Sequence, residues 1–233
     1  MNVRLGERTW SELAPEAKPT VLVPVGSLEQ HGPHLPLDTD ARIATAVAHR
    51  AADADPSLLV APAVAYGASG EHEGFPGTLS IGHEALNAVL VELGRSAGRW
   101  VRRLVFVNGH GGNFPTVSEA VLLLRDEGRD MAWFGCGVPG GDAHAGRTET
   151  SILLALEPTL VREDLAEAGN TAPLAKLLPT LRRDGIAAAS PNGVLGDPAG
   201  ASREEGERLL AGMGTSLLEA LSRWTPDRRG RLA

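Results

Sequence analysis

Three short apolar runs, at 20–26, 103–107 and around Trp133, each break off into a cluster of histidine, carboxylate and glycine. The first, Val21-Leu22-Val23-Pro24-Val25-Gly26, passes into Glu29, His31, His34, Asp38 and Asp40. The second runs into Asn108-Gly109-His110-Gly111-Gly112-Asn113, and the third leads to Gly140-Gly141-Asp142-Ala143-His144 and then Glu149. A fourth short strand is read at 58–63. Helix-period segments lie between the strands. One at 40–53 aligns Ile43, Val47 and Ala51, and one at 83–99 aligns Leu86, Leu90 and Leu93. Others are read at 116–127, 150–156 and 202–224, the last opened by Ser202-Arg203-Glu204-Glu205, which has the form of a capping box. Such alternation predicts an α/β fold, a mostly parallel sheet with helices on both faces. Open sheets of this kind bind ligands at the carboxyl ends of their strands. Three strands would therefore deliver histidine and carboxylate to one edge.

Composition narrows the chemistry available there. A net charge of -7 leaves no basic face for nucleic acid. No apolar stretch spans a bilayer, and the polar start Met1-Asn2-Val3-Arg4 is no signal peptide, so neither a membrane nor an export route is expected. The single Cys136 excludes an internal disulfide and a cysteine zinc knuckle, and points to a reducing cytoplasm. Any metal must be held by His and carboxylate. Glycine is frequent, 28 of 233 residues or about 12% against roughly 7% on average, and it gathers beside the polar clusters.

Each candidate has an ordinary alternative. Glu29 and His31 stand two apart, so in extended chain both project to one face. Carboxylate with imidazole is a mixture that Zn, Mn and Fe accept, although a hydrogen-bonded structural His would look the same. Asp40 could simply cap the helix that follows. His110, bracketed by glycines, could be a bystander in a turn. Glu149 could serve only the helix dipole. The segment 69–78 has the look of a substrate-facing loop, while 192–198 reads mostly as a compact turn. Ser27 lacks the glycine pattern of a nucleophile elbow, and Cys136 sits in strand-like surroundings, so neither is read as a nucleophile.

One stretch, Pro24-x-Gly26-Ser27-x-Glu29-Gln30-His31-Gly32-Pro33-His34-Leu35-Pro36-x-x-Thr39-Asp40, resembles the signature of the creatininase (creatinine amidohydrolase) family. Phe75-Pro76-Gly77-Thr78, Asn108 to Asn113, His144-Ala145-Gly146-x-x-Glu149-Thr150-Ser151 and Gly193-Val194-x-Gly196-Asp197-Pro198 resemble it in the same order. The resemblance implies a three-layer α/β/α domain, here 1–225; the short basic end at 226–233 is read from its own residues as a flexible tail. It implies two divalent metal ions per chain (Zn, Fe(II) or Mn), hydrolysis of amide C–N bonds, and a homohexamer. Carried over by position, Glu29 and His31 would bind different metals, Asp40 would bridge them, and His110 would complete the first. Creatininase proper has a Tyr-Glu pair after that His, and its Glu is a ligand. Gly111-Gly112 stand here instead, and Glu149 is the candidate replacement, as ligand or as general base. His144 would hydrogen-bond the oxyanion or protonate the leaving amine. His34, His72, Gly111, Gly112 and Asn113 fall to the substrate pocket or behind the ligands. Within the family the chain is most similar to the branch of the mycofactocin system, which releases a modified C-terminal Val-Tyr unit from a precursor peptide. A cyclic-amide amidohydrolase is the alternative.

Overall fold

The computed structural model describes residues 3–13 and 18–233. Its sheet holds four parallel strands, β1 (Thr20–Val25), β2 (Leu58–Val60), β3 (Arg103–Asn108) and β4 (Met131–Gly135), in the order β2-β1-β3-β4. Side chains of a strand alternate between faces, and the two faces bury different partners. Leu22, Val105, Val107 and Phe134 pack with α1 (Thr39–Ala54), α4 (Arg147–Leu156) and α7 (Arg203–Arg223). Val21, Val23, Val25, Phe106 and Trp133 pack with α2 (Gly82–Ala97) and α3 (Phe114–Asp126). The expected three layers follow from that alternation.

Helix ends refine the reading. The N-cap of α1 is Asp38, not Asp40, so Asp40 lies inside the first turn and is free for another task. Half of the capping box at α7 is made: Ser202 Oγ accepts from Glu205 N–H at 3.2 Å. The Glu205 carboxylate turns instead to Arg147 and Ser151 of α4. Two helices escaped the periodicity, α5 (Leu174–Asp184) and α6 (Ile186–Ala189). They bury Leu177, Leu181 and Ile186 against Leu195, beside the carboxyl edge of the sheet.

The chain's last residues lie against the sheet. Leu232 N–H donates to Trp133 O at 2.8 Å and Trp133 N–H to Gly230 O at 3.0 Å, so the segment lies along the free edge of β4. Trp133 Nε1–H and the Ser118 hydroxyl both reach Arg229 O. Leu232 is 1% exposed within the core. Truncating it in Leu232→Ala is expected to cost about 2 kcal/mol or more in denaturant unfolding; a fraying tail would show no change.

Candidate metal centre

The carboxyl ends of the three longer strands are level. Val25 pairs with Asn108, and Asn108 with Gly135. The chain leaving β3 passes so close to the first turn of α1 that a Cβ at Gly109 would fall 2.3 Å from Asp40 O. Only glycine permits that approach, and it seats His110 beside Asp40. Asn113, wholly buried, ties the loops together: it donates to Gly26 O and Asn108 Oδ1 and accepts from Ala68 N–H.

Asp40 sits at the middle of the cluster. Its Oδ1 lies 3.1 Å from His31 Nε2 and its Oδ2 lies 3.1 Å from His110 Nδ1, so the two oxygens face two different histidines. Ser27 Oγ donates to Oδ2 at 2.6 Å. Glu29 is fully buried. Its Oε1 lies 3.1 Å from both His72 Nε2 and His110 Nδ1, and 3.9 Å from His144 Nδ1. None of these contacts has the geometry of a hydrogen bond, and both Glu29 oxygens lack a hydrogen-bonding partner. Burying a carboxylate unsatisfied is costly unless a cation takes its lone pairs. Among the described residues three groups have ligand atoms within 4.8 Å of one another: Glu29 with His72 and His110, Glu29 with His31 and His144, and His31 with Asp40 and Glu149. Oxygen and imidazole nitrogen suit Zn, Mn or Fe(II). The donor set fits the metal centre that the sequence implies.

Electrostatics agree with that fit. Burial disfavours a charged His31, yet the Asp40 carboxylate overrides it and pushes the imidazole up to about 10. Burial is likewise overridden at His110, which Glu29 and Asp40 raise well above the usual range. Burial would raise Asp40, but His31 and His110 hold it well below the ordinary carboxylate value. Glu149 is pushed up to about 7 by burial, only partly offset by His31. His144 and His72 are driven down, by burial first and by neighbouring histidines next, and stay neutral. Imidazolium charge thus stands where the buried carboxylates demand a cation.

The remaining candidates divide. Gly111 and Gly112 line a cavity of about 1400 Å³ together with His72, His110, His144 and Glu149. A Cβ at Gly112 would lie 2.5 Å from Glu71 Oε1, so the Glu71 carboxylate fills the space that a side chain at 112 would enter. Glu71 Oε1 is 3.6 Å from His110 Nε2. Sequence reasoning passed over Glu71, although it adjoins His72 in a loop already picked out, and it passed over Gln30. His34 stands back from the cavity, with Nε2 at 2.9 Å from Thr150 Oγ1 and burial holding its pKa down at about 4. The loop 192–198 contributes Leu195 and Gly196 to the cavity, and Leu195 pairs with His144. Ala145, at φ 51, turns the chain so that its N–H donates to Glu149 Oε2 at 2.6 Å. Burial raises the Cys136 thiol, which disfavours the thiolate.

A sequence model of the family described as creatininase, creatinine amidohydrolase, matches residues 6–221. The chain belongs to the creatininase family. It is similar to the "Mycofactocin precursor peptide peptidase" of Mycobacterium ulcerans, 56% identical over 98% of this chain and 94% of that protein. The protein of the same name in Mycolicibacterium smegmatis is 59% identical over 92% of this chain and 89% of its own length. Among solved creatininase structures, one titled "Creatininase Mn" superimposes with a TM-score of 0.82 at 29% identity, covering 97% of this chain and 100% of that one. A mutant creatininase of "Zn-Zn type" gives 0.79 at 28% identity with the same coverage. Creatininase relatives are therefore known with Mn and with Zn, and this chain carries candidate ligand groups of its own.

Proposed function

We propose that this chain hydrolyses one amide bond of a ribosomally made precursor peptide, releasing the modified C-terminal Val-Tyr unit used in mycofactocin synthesis. The chain is an amide hydrolase of the creatininase family. The observation that carries the peptide reading is its near full-length likeness to the two mycobacterial proteins of that name. The cavity supports it. At about 1400 Å³ it exceeds the several hundred to roughly 1000 Å³ of small-ligand sites. Residues of the segment 174–186, among them Leu174, Leu181 and Ile186, add to its lining. A small cyclic amide would leave most of that space empty, which disfavours the alternative.

Glu29, Asp40 and His110 would hold one divalent ion, and His31, Asp40 and Glu149 a second, with Asp40 shared between them. Zn, Mn and Fe(II) each accept this set. When bound, the ions polarise the scissile carbonyl and make water more acidic. His144 takes a proton at Nδ1 as water attacks and returns it to the leaving amine, a role typically contributing ~10²–10⁴-fold. Glu149 supplies the carboxylate that Gly111-Gly112 lack, its Oε2 held by the Ala145 N–H. The family likeness supports a homohexamer, and the lone Cys136 a reducing cytoplasm. Among the described residues no helix is long and apolar enough to cross a membrane.

Incubating the metal-loaded protein with precursor peptide bearing the modified C-terminus, beside creatinine, separates the two readings. Mass spectrometry is expected to show the Val-Tyr unit released and the remaining peptide intact. Creatinine opening without peptide cleavage would overturn the peptide reading.

A further inference from the structure

Gln30 lies between two candidate ligands in sequence, and its buried amide is anchored at both ends by main-chain groups of fixed polarity. Its Oε1 accepts from Gly32 N–H at 2.8 Å, and its Nε2 donates to Gly193 O at 3.1 Å. The amide orientation follows from those two contacts, and one N–H remains to be placed. Two imidazole nitrogens are in reach, His72 Nδ1 at 3.0 Å and His144 Nε2 at 3.1 Å. His144 Nε2 also stands 2.8 Å from the Gln30 carbonyl oxygen, which can only accept. His144 therefore carries its proton on Nε2 and cannot receive the amide N–H. That hydrogen goes to His72 Nδ1, which leaves the His72 proton on Nε2.

Both rings thus adopt the same tautomer but turn opposite ends to the site. His144 presents the Nδ1 lone pair, 3.9 Å from Glu29 Oε1. His72 presents Nε2–H, 3.1 Å from the same oxygen, on the cavity wall. A histidine coordinated through Nε2 would need its proton on Nδ1, where it would collide with the Gln30 N–H. We infer that Gln30 is a positioning residue that withholds His72 from metal ligation and makes it a hydrogen-bond donor to the scissile carbonyl oxygen, while keeping the His144 lone pair free to take a proton. This rests on the amide-hydrolase reading. His72 then stabilises the charge that develops on that oxygen, a kind of contact worth ~10²–10³-fold in kcat when removed.

The full-length, zinc-loaded protein with isotope-labelled imidazoles tests the assignment by NMR, independently of any substrate. Both His72 and His144 are expected to show protonated Nε2 and bare Nδ1. A His72 resonance with protonated Nδ1 and metal-bound Nε2 would overturn the inference. Gln30→Glu and Gln30→Met both remove the N–H. Each is expected to lower kcat ~10²-fold on the amide substrate with KM and metal content close to wild type. His72→Gln, which keeps a donor, should retain more activity than His72→Phe. Wild-type kcat in Gln30→Met, or loss of bound metal in His72→Phe, would contradict the assignment. If no peptide is turned over, the tautomer result still stands or falls alone, so failure of the peptide reading is told apart from failure of this one.

Discussion

Asp40→Asn is expected to empty the site and to lower kcat/KM by more than about 10³-fold. Residues that only support metal ligands typically cost ~10–100-fold when lost. Asp40 does more, since each of its oxygens faces a different histidine, His31 on one side and His110 on the other. An amide of the same shape replaces one oxygen by an N–H donor that cannot ligate, and it also removes the charge. Asn should seat in the same space, so the fold is expected to survive. Circular dichroism and thermal unfolding of the metal-free proteins check that, and bound metal per chain checks the site. A D40N protein that holds its full metal complement and turns substrate over normally would refute the shared-ligand role.

Glu149→Gln is expected to act on half of the site. Glu149 groups with His31 and Asp40, whereas Glu29 and His110 lie on the other side of Asp40. The variant should therefore lose one of two ions and keep the other, with activity falling ~10²-fold or more, beyond the effect of a supporting residue. The Ala145 N–H that now meets Oε2 can still be satisfied by the amide oxygen, so local structure should persist. Retention of both ions with a large drop in kcat would instead make Glu149 the general base.

Why some of this was legible in the sequence and some was not has physical reasons. Valine-rich strands that end in charged residues announce both a parallel sheet and the edge where its polar side chains gather, which is how Glu29, His31, Asp40 and His110 could be picked out and why they converge. The helix α5 was hidden although Leu174, Leu177, Leu178 and Leu181 have helical spacing, because Pro179 in their midst argues against a helix interior. The C-terminal strap was hidden because a single buried leucine among Arg228, Arg229 and Arg231 gives no periodic signal. Apart from Gly32, Gln30 reaches His72 and Gly193, 42 and 163 residues away, and Glu71 reaches His110, 39 residues away. No local pattern encodes such contacts. Asp40 shows the opposite lesson: its place at a helix start suggested a cap, but the N-cap position belongs to Asp38, whose carboxylate accepts from Arg42.

The most direct measurement counts metal per chain by elemental analysis while following hydrolysis of the modified precursor peptide, before chelation, after chelation and after reloading. About two ions per chain are expected, with release of the C-terminal fragment lost on chelation and restored on reloading. Hydrolysis that continues unchanged in fully chelated protein, or a reloaded protein that binds no metal, would contradict the account at its centre.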